Sequence, residues 1–159
     1  MQLLLVVSTV TGTAEMLAEN LADAAHGVQV RLALAESLAP ADLCEEPFVV
    51  VVSSTYGQGE VPTPAQPLFD AIGAAGGLEG VRYGVVGLGD RSLYAPTFAN
   101  GGRLWDRALE AAGATRLAEP IYIDVSGPED MTGLAEQWLR GFIESAQAVS
   151  AHAGCAGAA

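Results

Sequence analysis

Short apolar runs alternate along this chain with longer stretches in which apolar residues recur every three or four positions. Leu3–Val7 is a continuous apolar run of strand length, as a strand covered on both faces requires. Thr13–Ala25 follows with Met16, Leu17, Leu21 and Ala24 at helical spacing, and Gly27 stands where a helix stop belongs. Val28–Leu34 alternates and reads as a second strand, whereas Glu36–Cys44 is ambiguous between a helical turn and a loop. Phe48–Val52 is the clearest strand, because four consecutive β-branched valines disfavour helix and suit a buried pleated surface. The pattern then predicts a helix over Pro67–Ala75, a strand over Tyr83–Leu88, and a helix over Asn100–Ala112 ended by Gly113. A fifth strand is expected over Ala118–Val125. A last helix is expected over Gly133–Ala148, with Leu134, Trp138, Phe142 and Ile143 on one face. Residues 1–149 read as one domain, and the small-residue segment 150–159 as a disordered, fraying tail.

Strand and helix alternating about five times predict an α/β three-layer sandwich, a parallel sheet with helices on both faces. Ligands of such sheets bind beyond the carboxyl ends of the strands, so the loops there are where function is expected. The first strand runs into Ser8-Thr9-Val10-Thr11-Gly12-Thr13, with four hydroxyls in six residues and a helix starting at once. One hydroxyl suffices for an N-cap. Four hydroxyls plus the free N–H groups of a helix start favour an anion site, held by neutral donors because the loop carries no cation. The loop lacks the Gly-Lys-Ser/Thr ending of a Walker loop and the glycine spacing of a dinucleotide loop.

The third strand runs into Ser54-Thr55-Tyr56-Gly57-Gln58-Gly59-Glu60. Tyr56 is suited to stacking on a flat ring, although an ordinary turn with an exposed tyrosine accounts equally for this loop alone. The fourth strand ends in Leu88-Gly89-Asp90, and Leu93, Tyr94, Phe98 and Asn100 follow. Phe98 is expected to lie buried beneath its loop. In a five-stranded sheet of order 2-1-3-4-5 these three loops are neighbours, and a ligand with a phosphate at one end and a flat ring at the other would span them.

Charge and composition narrow the reading. The 159 residues hold 19 Asp and Glu against 7 basic residues, a formal net charge of -12. Such a surface repels nucleic-acid and anionic-lipid phosphates and suits a basic protein partner. All seven basic residues are Arg. Without Lys, Schiff-base chemistry, a Walker lysine and a receiver-domain lysine are excluded. Cys44 and Cys155 form no CxxC pair and the two His have no metal-ligand spacing, so neither a disulfide framework nor a metal site is expected. A reducing, cytoplasmic setting fits, and Leu3–Val7 is too short to span a bilayer.

The three loops, in this order and spacing, resemble those of the flavodoxin family, especially its short-chain MioC-like members and the FMN domains of cytochrome P450 reductase and sulfite reductase. The resemblance covers about residues 1–148. It implies a flavodoxin-like fold, FMN as cofactor, and one-electron shuttling from a flavoprotein reductase to a redox metalloenzyme or radical enzyme, by a monomer without a substrate of its own. Thr9, Val10, Thr11, Gly12 and Thr13, following Ser8, would hold the FMN phosphate. Tyr56 would lie on one face of the isoalloxazine, with Ser54, Thr55, Gly57, Gln58 and Gly59 along its N5 edge. Leu88, Gly89 and Asp90 would line the ribityl and pyrimidine side, and Phe98 and Asn100 belong to the same loop. Where relatives usually carry a stacking Tyr, this chain has Leu93, and Tyr follows one residue later. A loop shift that brings Tyr94 over the second face is the favoured expectation, with Leu93 covering that face as the other. Two further readings differ in kind: an FMN-dependent oxidoreductase acting on a quinone-like small molecule, and a flavin-free binding module.

Overall fold

The computed structural model describes residues 1–156, apart from the side chains of Tyr94 and of residues 153–156. Strands β1 (Gln2–Ser8), β2 (Gln29–Leu34), β3 (Phe48–Ser53) and β4 (Arg82–Gly89) lie parallel in the order β2-β1-β3-β4. The next position beside β4 is filled by two short parallel segments, β5 (Thr115–Arg116) against Arg82–Tyr83 and β6 (Ile121–Asp124) against Val86–Gly89. The sheet is thus the expected parallel one, with its fifth strand broken. The reason is Pro120, which has no N–H to give the ladder. Leu117 N–H still reaches the Tyr83 carbonyl (2.9 Å) before the chain bulges and re-enters at Ile121.

Alternate side chains of the central strands enter two cores. Leu4, Val6, Val49, Val51 and Val85 face α2 (Pro40–Cys44), α3 (Gln66–Ala75) and α5 (Asn100–Ala111). Leu3, Leu5, Val7, Val50, Val52 and Val86 face α1 (Thr13–Ala24) and α6 (Met131–Ala156). The ambiguous Glu36–Cys44 stretch becomes a 3-10 turn, Ala35–Ser37, and α2, which opens at Pro40 with the Asp42 carboxylate accepting the Ala39 N–H (2.7 Å). Helix α6 runs further than Gly133–Ala148. It remains helical through Ala156, over much of the segment read as a fraying tail, because Ala is the strongest helix former. Residues 157–159 lie outside the described residues.

The buried polar residues of this core are Ser8, Ser53 and Asp106. Asp106 of α5 accepts the hydroxyl of fully buried Tyr83 (2.8 Å) and a two-pronged pair from Arg116 (2.9 and 2.6 Å). This cluster ties α5 to β4 and β5 and so fixes the helix whose first turn supports the candidate site.

Candidate functional site

Between β1 and α1 the chain turns at Gly12, whose φ of 93° is a left-handed conformation that glycine adopts without a Cβ penalty. Thr9 Oγ1 closes the turn by accepting the Gly12 N–H (3.1 Å). No side chain caps α1, so its leading N–H groups lack a side-chain acceptor. Val10 and Thr11 are exposed at the rim of this turn.

The second loop is a tight turn. Tyr56 N–H donates to the Glu60 carbonyl (2.9 Å), and Gly59 and Glu60 N–H groups donate to the Tyr56 carbonyl (3.1 and 2.8 Å). Gly57, at φ 56°, and exposed Gln58 form its tip. Helix α5 holds this loop from behind. Asn100 Nδ2 donates to the Gly59 carbonyl (2.6 Å), and Gly101 N–H donates to Thr55 Oγ1 (3.1 Å), which itself donates to the Leu88 carbonyl (3.0 Å). One threonine thereby joins the ends of β3 and β4 to the start of α5.

The third loop leaves β4 through Gly89, where a Cβ would strike the Ala99 N–H and the Phe98 ring. Asp90 caps the short helix α4 (Arg91–Tyr94), accepting Ser92 N–H (2.9 Å) and the Ser92 hydroxyl. Phe98 is buried beneath the loop, as expected, and the Arg91 guanidinium lies 4.2 Å from its ring centroid. Leu93 is 71 % exposed. The expected stack by Tyr94 rests on a side chain outside those described.

Two adjoining clefts bring the loops together. One of about 140 Å³ is lined by Thr11 and Thr13, by Ser54 and Thr55, and by Leu88, Gly89, Asp90 and Val125. The other, about 200 Å³, shares Thr55, Gly89 and Asp90 and reaches Gly57, Leu93, Thr97, Phe98 and Ala99. Together they form one site running from an end lined by the Thr11, Thr13 and Ser54 side chains to a larger end that reaches Leu93 and Phe98, with the Asp90 carboxylate shared by both. A third cleft, about 290 Å³, takes in Thr9, Val10, Thr11 and Gly12 of the first loop together with Glu15 and Glu36. Two carboxylates make that a poor seat for a phosphate, and the 140 Å³ cleft is the better one.

The hydroxyl of Ser8 is not part of this rim. It is fully buried, accepts the Trp105 indole N–H (3.1 Å) and shares a hydrogen bond with Ser53 (3.1 Å). Its side chain points into the core because residues of a strand alternate faces, and position 8 follows Leu4 and Val6. Reading hydroxyls along the loop without strand parity made it a candidate contact.

Thr97, Ala99 and Val125 were not foreseen. The last strand carried a usable signal. Asp124-Val125-Ser126 repeats the Asp-x-Ser spacing of Asp90-Arg91-Ser92, and both make the same turn, with Asp124 accepting Ser126 N–H (3.0 Å) as well as Arg91 N–H (3.2 Å). Both carboxyls are held below the usual carboxylate range, Asp90 first by the Ser92 hydroxyl and Asp124 first by that of Ser126. A depressed folded pKa gives stability that is present above the unfolded value of about 4 and lost as pH falls through the folded one. Acidification below about pH 4 is therefore expected to loosen α4 while the sheet persists. Amide NMR shifts of Ser92 and Ser126 followed against pH check this. Titration at an ordinary carboxylate pKa would contradict it.

The sequence profile of the flavodoxin family matches residues 5–138. The chain belongs to the flavodoxin family. Among similar flavodoxin-related proteins, the Protein MioC homolog of Haemophilus influenzae is 33% identical, with 91% of this chain and 98% of that protein aligned. Flavodoxin YqcA of Pectobacterium carotovorum is 41% identical over 77% of this chain and 83% of its own. A mutant of the flavodoxin from Pseudomonas aeruginosa superposes with a TM-score of 0.80 at 30% identity, covering 91% of this chain and 98% of that one. Among the described residues of this flavodoxin, no helix is long and apolar enough to cross a membrane.

Proposed function

We propose that this flavodoxin binds one FMN across the joined clefts and works as a one-electron carrier between a flavoprotein reductase and a redox enzyme. The observation that carries the reading is the single cleft shared by Thr11 and Thr13, Ser54 and Thr55, and Leu88, Gly89 and Asp90. The donor set fits FMN: the uncapped start of α1 and neutral hydroxyls suit a terminal phosphate, and the absence of a Cβ at Gly89 lets the Phe98–Ala99 segment pack against the end of β4 and wall the cleft.

FMN, when bound, supplies the redox chemistry, taking up and releasing electrons one at a time. The protein supplies position and electrostatics. Thr9 keeps the Gly12 turn closed, and the uncapped N–H groups of Thr13, Ala14 and Glu15 would be the backbone donors to the phosphate. Asn100 and Thr55 keep the Tyr56 turn beside the β4 end. The Gly57 carbonyl, in a turn already at positive φ, would be available to accept a hydrogen bond from the flavin. Asp90, held ionised, opposes the build-up of negative charge in the cleft and lowers the potential.

The surface near the clefts supports docking by a basic partner. Val10, Met16, Tyr56, Leu93 and Val125, five of the six exposed large apolar side chains among the described residues, belong to these loops and the first turn of α1. Carboxylates of Glu15, Glu60 and Asp90 lie among them, in a chain of net charge -12. Apolar side chains set among carboxylates, with Arg91 the cation of the third loop drawn onto the Phe98 ring, suit encounter steered by a positive partner. Raising salt from about 0.01 M to about 0.15 M shortens the screening length from about 30 Å to about 8 Å. The stopped-flow rate of electron uptake from a basic flavoprotein reductase is then expected to fall by about ten-fold. Flavin that is reduced at a salt-independent rate, or that turns over a quinone without any protein acceptor, contradicts the carrier reading.

A further inference from the structure

We propose that the indole N–H of Trp105 is a positioning group for the phosphate end of the site, acting through the buried hydroxyls of Ser8 and Ser53. The proposal rests on the FMN reading above.

Ser8 and Ser53 are the last residues of β1 and β3 and stand directly opposite each other in the parallel register. Each is fully buried, and with Asp106 they are the buried residues of polar type among those described. Trp105, 97 residues beyond Ser8 and also fully buried, brings its Nε1 to within 3.1 Å of Ser8 Oγ. Ser8 Oγ and Ser53 Oγ are 3.1 Å apart, and Ser53 Oγ is 2.8 Å from the Ser54 carbonyl. A hydroxyl has one proton to give. With Trp105 donating to Ser8, the arrangement that leaves no donor idle runs from Trp105 to Ser8, from Ser8 to Ser53, and from Ser53 to the Ser54 carbonyl. The relay ends on the residue that opens the Tyr56 loop, and it begins beside Thr9, which closes the Gly12 turn. It therefore fixes the height of one loop against the other, from the same helix that holds the Tyr56 loop through Asn100 and Gly101.

Stability alone does not call for this relay. Apolar side chains of similar shape at all its positions leave a core about as stable, whereas removing one partner strands the others. What an apolar replacement loses is direction: hydrogen bonds specify relative position, and dispersion contacts tolerate sliding.

Two variants separate positioning from packing. Trp105→Phe keeps one aromatic ring on the side where Trp105 meets Phe69 edge-on at 5.3 Å and removes the N–H, and the volume it loses is common to both variants, so their comparison cancels it. The triple variant Trp105→Phe/Ser8→Ala/Ser53→Ala removes the whole relay and strands no hydroxyl. Urea unfolding is measured for each, together with calorimetric affinities for FMN and for riboflavin, which lacks the phosphate. The single variant is expected to lose stability and the triple variant to recover much of it. FMN affinity is expected to fall about five- to ten-fold in both, one neutral hydrogen bond's worth, with riboflavin affinity nearly unchanged. Recovery of FMN affinity along with stability in the triple variant overturns the proposal, as does an equal loss for FMN and riboflavin, or no loss. A wild-type protein that takes up no FMN defeats the underlying reading instead, and the proposal with it.

Discussion

Asp106→Ala is expected to cost about 3 kcal/mol of folding free energy, at the low end of the range for a broken buried pair. The low end applies because the Arg116 side chain keeps 30% exposure and can turn to water, while the Asp106 side chain is only 10% exposed. The loss has two parts. Arg116 loses a two-pronged partner at 2.9 and 2.6 Å, and the Tyr83 hydroxyl keeps the Asp106 backbone carbonyl (3.0 Å) but loses the carboxylate. The same cluster sets an alkaline limit. Burial first, and then the hydrogen bond to Asp106, push the Tyr83 hydroxyl well above the ordinary tyrosine value. A folded pKa above the unfolded one means stability that is complete below about pH 10 and is lost as pH climbs towards the folded value. Chemical denaturation across pH 7–11 tests both statements: about a 3 kcal/mol drop for Asp106→Ala at pH 7, and an alkaline fall in the wild type that Tyr83→Phe removes. A variant as stable as the parent contradicts the role given to the cluster.

Gly101→Ala is expected to have the largest effect on ligand binding. A Cβ there would run into the Ser54 carbonyl oxygen and come within 3.2 Å of Thr55 Cα and Oγ1. Backbone cannot swing aside as a side-chain tip can, so α5 must back away from the end of β3. That breaks the Gly101–Thr55 bond and loosens the Thr55–Leu88 clamp between two of the three loops. Overpacking of this kind costs about 1–3 kcal/mol, and placed under the site it is expected to weaken FMN binding by about 10- to 100-fold. Gly141→Ala in α6 is the control: nothing lies within 4 Å of its Cβ position, and an exposed helical Gly→Ala change stabilises by about 1 kcal/mol. Calorimetric titration of both variants with FMN distinguishes a local effect at position 101 from a general effect of added alanine.

The layer order and the three loops were legible because they rest on strong local signals. Four valines at 49–52 leave no competing element, and the hydroxyl run, the Tyr-Gly turn and the Gly-Asp strand end each follow a strand. Side-chain direction was less legible. Ser8 was taken for a rim hydroxyl because hydroxyl count ignores strand parity, and its partner Trp105 is 97 residues away. The broken fifth strand turns on Pro120, a single residue just ahead of the Ile121-Tyr122-Ile123 run that carries the strand signal. Val125 and Asp124 were missed because the first three loops already made a site. The repeated Asp-x-Ser turn that holds the fourth beside them is local chemistry with no apolar period. Helix α6 outran its expected end because small residues lower amphipathic contrast while raising helix propensity.

The central claim is tested most directly by adding FMN to the ¹⁵N-labelled protein freed of flavin and mapping which amides shift. Saturation at one equivalent is expected, with the largest changes confined to residues 10–15, 54–59 and 88–99. Shifts gathered at residues 34–36 and at Ala65, on the far wall of the Glu15–Glu36 cleft, with residues 54–59 and 88–99 unmoved, or none at all, would contradict the assignment.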